Sequence, residues 1–91
     1  MKEHVIIAPN YRLGEYAARF ILEVSPRSCI FVSLDSRGDC ERLNGLSDDL
    51  LNFHYFYAPR MDWTQEMRKN YEIMNHILAP RNIELTIHRL P

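Results

Sequence analysis

Short apolar runs alternate along this chain with segments whose apolar residues recur every three to four positions. Val5-Ile6-Ile7-Ala8 is the first run, rich in β-branched residues and closed by Pro9. It predicts a strand, because a short apolar run bounded by a breaker fits a buried strand. Leu13, Tyr16, Ala17, Phe20, Ile21 and Val24 then fall at helical spacing, predicting a first helix over Leu13–Val24. Glu15, Arg19 and Glu23 occupy the opposite face at i,i+4 spacing. Ser25-Pro26 is expected to stop that helix, because the residue before a proline avoids the α region.

Cys29–Leu34 carries apolar residues on both faces, which predicts a central strand covered on both sides. Asp35 to Asp39 reads as a turn. A short helix over Cys40–Asn44 follows, ended by Asn44-Gly45. Ser47-Asp48-Asp49 offers caps for another turn holding Leu50 and Leu51. Phe53–Ala58 is aromatic-rich and predicts a third strand, closed by Pro59.

The segment Asp62-Trp63-Thr64-Gln65 reads as a capping box with Asp62 as N-cap. Trp63, Met67, Tyr71, Met74, Ile77 and Leu78 form the buried stripe of the helix it opens, and Ala79-Pro80 ends it. Ile83–Leu90 alternates, with Ile83, Leu85 and Ile87 against Glu84, Thr86 and His88, as an edge strand does. The reading is therefore a small α/β sandwich in the order β-α-β-(short α)-β-α-β. Its sheet is mostly parallel with three or four strands, it has two main helices, and residues 1–91 form one domain.

Composition narrows the function classes. The chain is 46% hydrophobic and 25% charged with only 3 Gly, which fits a globular domain rather than a disordered one. Its formal net charge is −1, so nucleic acid is a partner that the charge does not favour. Two cysteines, Cys29 and Cys40, build neither a disulfide framework nor a metal quartet. They are expected as free thiols in a reducing cytoplasm. The opening residues lack the pattern of a secretory leader, and no run spans a bilayer, so no membrane partner is expected.

The turn after the first strand lacks a P-loop. Gly14 is followed by Glu15 and Tyr16 where lysine and a hydroxyl belong, and a glutamate repels phosphate. No G-x-G-x-x-G or G-x-S-x-G occurs, and His4, His54, His76 and His88 lack metal spacing. No cofactor, metal or catalytic residue is therefore assigned. If the first three strands are parallel, their ends bring Asn10, Tyr11, Arg12, Asp35, Ser36, Arg37, Asp39, Arg60 and Asp62 to one rim. Arg12, Arg37 and Arg60 have the forked donors that grip an anion. The plainer reading is a polar rim in which Asp35, Asp39 and Asp62 pair the arginines off.

Tyr55, Tyr57 and Trp63 are candidate interface residues, since Tyr, Trp and Arg anchor many contacts. At strand and helix spacing the same residues also suit a core. The primary expectation is a non-enzymatic binding or regulatory domain working through protein–protein contacts, with a protein partner or as a homodimer. Its size suits the compact accessory proteins that bacteria and phages encode. The alternative is a binder of anions, nucleotides or single-stranded nucleic acid at the arginine rim. A minimal enzyme at that rim, with Asp35 as acid or base, is a further alternative.

Overall fold

The computed structural model describes residues 2–89. Strands β1 (His4–Ala8), β2 (Cys29–Ser33), β3 (His54–Tyr57) and β4 (Ile87–His88) form one sheet in the order β2-β1-β3-β4. Every neighbouring pair is parallel, with Ile6 opposite Phe31 and Tyr55, and Tyr57 opposite His88. Between strands lie α1 (Tyr11–Tyr16), α2 (Arg37–Glu41), α3 (Asp48–Leu51) and α4 (Gln65–Leu78). The chain is an α/β fold, as its periodicities predict.

The two long helical segments cover opposite faces. Leu13, Ala17, Ala18 and Ile21 pack with Ile6, Cys29 and Phe31 on one side. Met67, Met74 and Leu78 pack on the other with Val5, Ile7, Val32 and Phe56, joined there by Cys40, Leu43 and Leu51. The connection from β1 to β2 runs one way along the sheet, and the next crosses back over β1 to β3. Right-handed crossovers in opposite directions place their helices on opposite faces.

β2 is an edge strand rather than the central one its composition predicts. Its hydrophobicity has another source. Cys29 and Phe31 lie with the α1 layer, whereas Val32 and the following Leu34 lie with the α4 layer. Cover from above and below, not from the side, is what an apolar run reports.

α1 starts two residues earlier than its stripe predicts, because Asn10 is a cap. The Asn10 Oδ1 accepts the Leu13 N–H at 2.9 Å. After Tyr16 the helix widens to a π turn over Ala17–Ile21, with the Leu22 N–H bonded to the Ala17 carbonyl at 2.9 Å. It ends at Glu23, which sits in the left-handed region at φ 53°. Ser25-Pro26 therefore opens a 3-10 turn (Pro26–Ser28) instead of stopping the helix. Gly14 lets α1 approach β2 closely, since a Cβ there would lie 3.0 Å from Phe31 Cδ1.

The cap of α4 is Thr64, not Asp62. Its Oγ1 accepts the Met67 N–H at 3.1 Å, so Asp62 and Trp63 precede the helix. The last strand is shorter than its alternation predicts. Among the described residues only Ile87 and His88 pair, with Phe56 and Tyr57, while residues 83–86, which this parallel register sets beside residues 52–55, stay irregular. Ile83 and Leu85 reach the core from irregular backbone, and Leu90 lies outside the described residues.

Candidate functional site

The sequence-predicted rim lies along the carboxyl ends of the parallel strands β1, β2 and β3, but its members do not form one group. β1 and β3 are neighbours at the point where the connections change direction, the place where ligands of open α/β sheets sit. Arg12 follows β1 and Arg60 follows β3, so these two share the switch point. Both are exposed. Arg37 follows β2 on the far side and is held by Glu41 at 3.3 Å. The expected triangle of arginines reduces to a pair.

Asn10 and Ser36 have local duties. Asn10 caps α1, and the Ser36 Oγ accepts the Asp39 N–H at 3.3 Å to cap α2. Asp35 is exposed, and its N–H bonds the Pro9 carbonyl at 3.2 Å. Tyr11 stands edge-on against Phe31, with ring centroids 5.0 Å apart, at the β2 side.

Two clefts open at this end of the sheet. One of about 350 Å³ is lined by Asn10, Arg12, Leu13 and Tyr16. The other, of about 220 Å³, is lined by Met61, Asp62, Trp63, Arg68 and Arg89. Arg68 and Arg89 were hidden in a helix and a strand end, and only the strand order brings them to the rim. A separate open cleft of about 630 Å³ runs beside β2, between Tyr11 and Phe31 on one side and Leu46 on the other.

The candidate interface residues separate by face. Trp63 is half-buried in the α4 layer, parallel to Phe56 at 6.2 Å and beside Tyr71 at 5.5 Å. Tyr55 and Tyr57 lie on the α1 side. There the helix covers β1 and β2, and beyond it the surface is aromatic. Tyr16 stacks over Tyr57 at 5.9 Å and meets Phe20 at 5.2 Å. Tyr55 and His88 stack at 4.2 Å with planes 4° apart. Phe20 is 69% exposed and Tyr16 48%, so this apolar surface faces water.

The outer edge of β2 is closed by side chains. The Asp39 Oδ2 accepts the Ser33 N–H at 3.0 Å, and the Arg42 Nη2 donates to the Phe31 carbonyl at 2.9 Å. Asp39 and Arg42 also lie 3.8 Å from each other. These are groups that an added strand would need.

Both thiols are buried and free. Burial pushes Cys40 up to about 12, helped by the negative charges of Asp39, Asp35 and Glu41. Burial also raises Cys29. A thiol held protonated is a poor nucleophile. Among the described residues no group of three or more His, Cys, Asp or Glu side chains gathers to hold a metal. None of the described helices is long and apolar enough to cross a membrane. Comparison with family models, curated proteins and solved structures finds no match to this chain.

Proposed function

We propose that this chain is a non-enzymatic binding domain that works through protein–protein contacts, and that its contact surface is the aromatic face over β3 and β4. One observation supports this reading above the others. The sheet has helical cover on both faces at β1 and β2, but on the α1 side Tyr55 and His88 lie at the margin of that cover and are only half-buried. Tyr16 and Phe20 extend the same surface outward. Burying a well-exposed ring such as Phe20 contributes at most about 1.5–3 kcal/mol, and the half-buried rings less, so a partner that takes several gains a useful affinity.

The partner this surface suits best is a second copy of the chain. Tyr16, Phe20 and Tyr55 bring no fixed charge, so two copies meet across a two-fold axis without repulsion between these rings. Sedimentation equilibrium over a wide concentration range tests it. The expected result is a mass rising from 10.8 kDa toward twice that value. Phe20→Glu sets like charges against each other and returns the monomer, with its melting temperature unchanged because the ring is exposed. A mass of 10.8 kDa at every concentration removes self-association.

A further inference from the structure

The arginines of this protein fall into two populations. Arg19, Arg37, Arg42 and Arg81 are held by Glu15, Glu41, Asp39 and Asp48. Arg12, Arg60, Arg68 and Arg89 have no carboxylate within 4.0 Å among the described residues. All four of these stand at the carboxyl ends of β1, β3 and β4. Arg27, also without such a carboxylate, precedes β2 at the opposite end of the sheet.

Stability does not explain the rim set. Arg68 lies near the amino end of α4, where the helix dipole disfavours a cation. Unscreened guanidinium groups on adjacent strand ends repel one another. The rim also sets three of these four charges beside a ring. Arg12 shares its cleft with Tyr16, and Arg68 and Arg89 share theirs with Trp63. Arg60 follows β3, the strand between β1 and β4.

We propose that this rim binds a short stretch of single-stranded nucleic acid. Rings that take bases beside guanidiniums that take phosphates are the two components of such sites. Three adjacent strand ends span about 10 Å, and stacked nucleotides rise about 3.4 Å each, so the rim accommodates roughly three nucleotides. The net charge of −1 is no obstacle, because the set is local. Of the acidic residues, Asp62 lines the second cleft, where its carboxylate accepts from a base or sugar rather than from phosphate.

A fluorescein-labelled oligothymidylate, titrated at low and moderate salt and followed by anisotropy, tests the site. The expected result is binding that weakens with salt on a log–log slope of about −2 to −3, from roughly 0.7 per phosphate contact. The double variant Arg12→Ala/Arg60→Ala binds at least tenfold more weakly, and Arg27→Ala binds as the parent does. Tyr16→Leu weakens binding without altering the salt slope. Melting temperatures show that each variant is folded. The proposal fails if no binding occurs at low salt, or if Arg27→Ala weakens it as much as the rim pair. It fails too if inorganic polyphosphate competes as well as the oligonucleotide while Tyr16→Leu has no effect, which is the signature of a generic anion patch. Tyr16 belongs to both surfaces, so the titration is run at concentrations where sedimentation shows the 10.8 kDa monomer, and the Arg12→Ala/Arg60→Ala variant, outside the aromatic face, separates the two readings.

Discussion

The Nδ2 of Asn70 donates to the carbonyl of Leu34 at 2.8 Å, tying the middle of α4 to the chain just beyond β2. The Leu34 N–H is bonded to Ala8 at 2.8 Å, so the same residue joins β1 and α4. Asn70 is fully buried, and its Oδ1 has no partner.

Asn70→Leu leaves the Leu34 carbonyl unsatisfied and lowers stability by about 1–3 kcal/mol. Asn70→Asp does more harm at neutral pH, because it sets a buried carboxylate against that carbonyl. Its folded-state acid is raised above the unfolded value of about 3.9. The loss is therefore small below that pH, where the protonated acid donates, and grows as pH rises. Urea unfolding at acidic and neutral pH checks the sign, and equal losses at both would contradict it.

Arg81 is the second tie. Its Nε donates to Asp48 Oδ1 at 2.6 Å, its Nη1 to the Leu43 carbonyl at 3.1 Å and its Nη2 to the Leu46 carbonyl at 2.6 Å. It fastens the end of α4 to the segment that crosses from β2 to β3. Arg81→Ala is expected to lower stability by about 2–3 kcal/mol, and Arg81→Lys to recover little, since an ammonium cannot span three acceptors. Asp48→Ala loses only the exposed partner and costs about 1 kcal/mol or less. Thermal unfolding of the three variants ranks them.

Much of this architecture is legible in the chain, and the failures have physical causes. The β1, β3 and α4 segments follow their periodicities because each buries a strand face or a helical stripe. β2 misleads because layers above and below make an edge strand as apolar as a central one. Asn70 left a signal: it lies three residues after Met67 and four before Met74, so it is a polar residue on the apolar stripe. Arg68 and Arg89 could not be joined to Arg12 and Arg60 before the order β2-β1-β3-β4 was known. Arg37 looked equivalent to them in sequence, but its strand is on the wrong side.

Cys40 imposes a pH limit. Its folded value of about 12 lies above the ordinary thiol value of 9.0. Below pH 9 both states keep the proton and nothing is lost. Between the two values the unfolded thiol ionises and the folded one does not, so stability falls by about 1.4 kcal/mol per pH unit for one group. Burial raises Cys29 and Tyr57 in the same sense. Cys40→Ala is expected to flatten the alkaline limb of the denaturation profile. In the parent, alkylation of Cys40 by iodoacetamide proceeds at the rate of unfolding, and modification much faster than unfolding would contradict its burial.

Glu23 stands in a left-handed conformation that costs an L-residue with a Cβ about 1–2 kcal/mol. Glycine removes that strain and adds chain entropy to the unfolded state. Glu23→Gly is therefore expected to raise stability by roughly 0.5–1 kcal/mol. A drop in the urea midpoint would mean that the Glu23 side chain contributes more than its backbone costs.

The Asp39–Arg42 closure of β2 also governs what the protein cannot become. A parallel sheet with a bare flank is a seed, onto which any extended chain can lay itself and start a fibril. Here one flank is occupied by two charged side chains, and at the other the last strand has only two residues, Ile87 and His88. Lateral growth by strand addition is blocked at the first flank and has little to grip at the second. Both flanks therefore resist the backbone pairing that would join copies of this chain irreversibly.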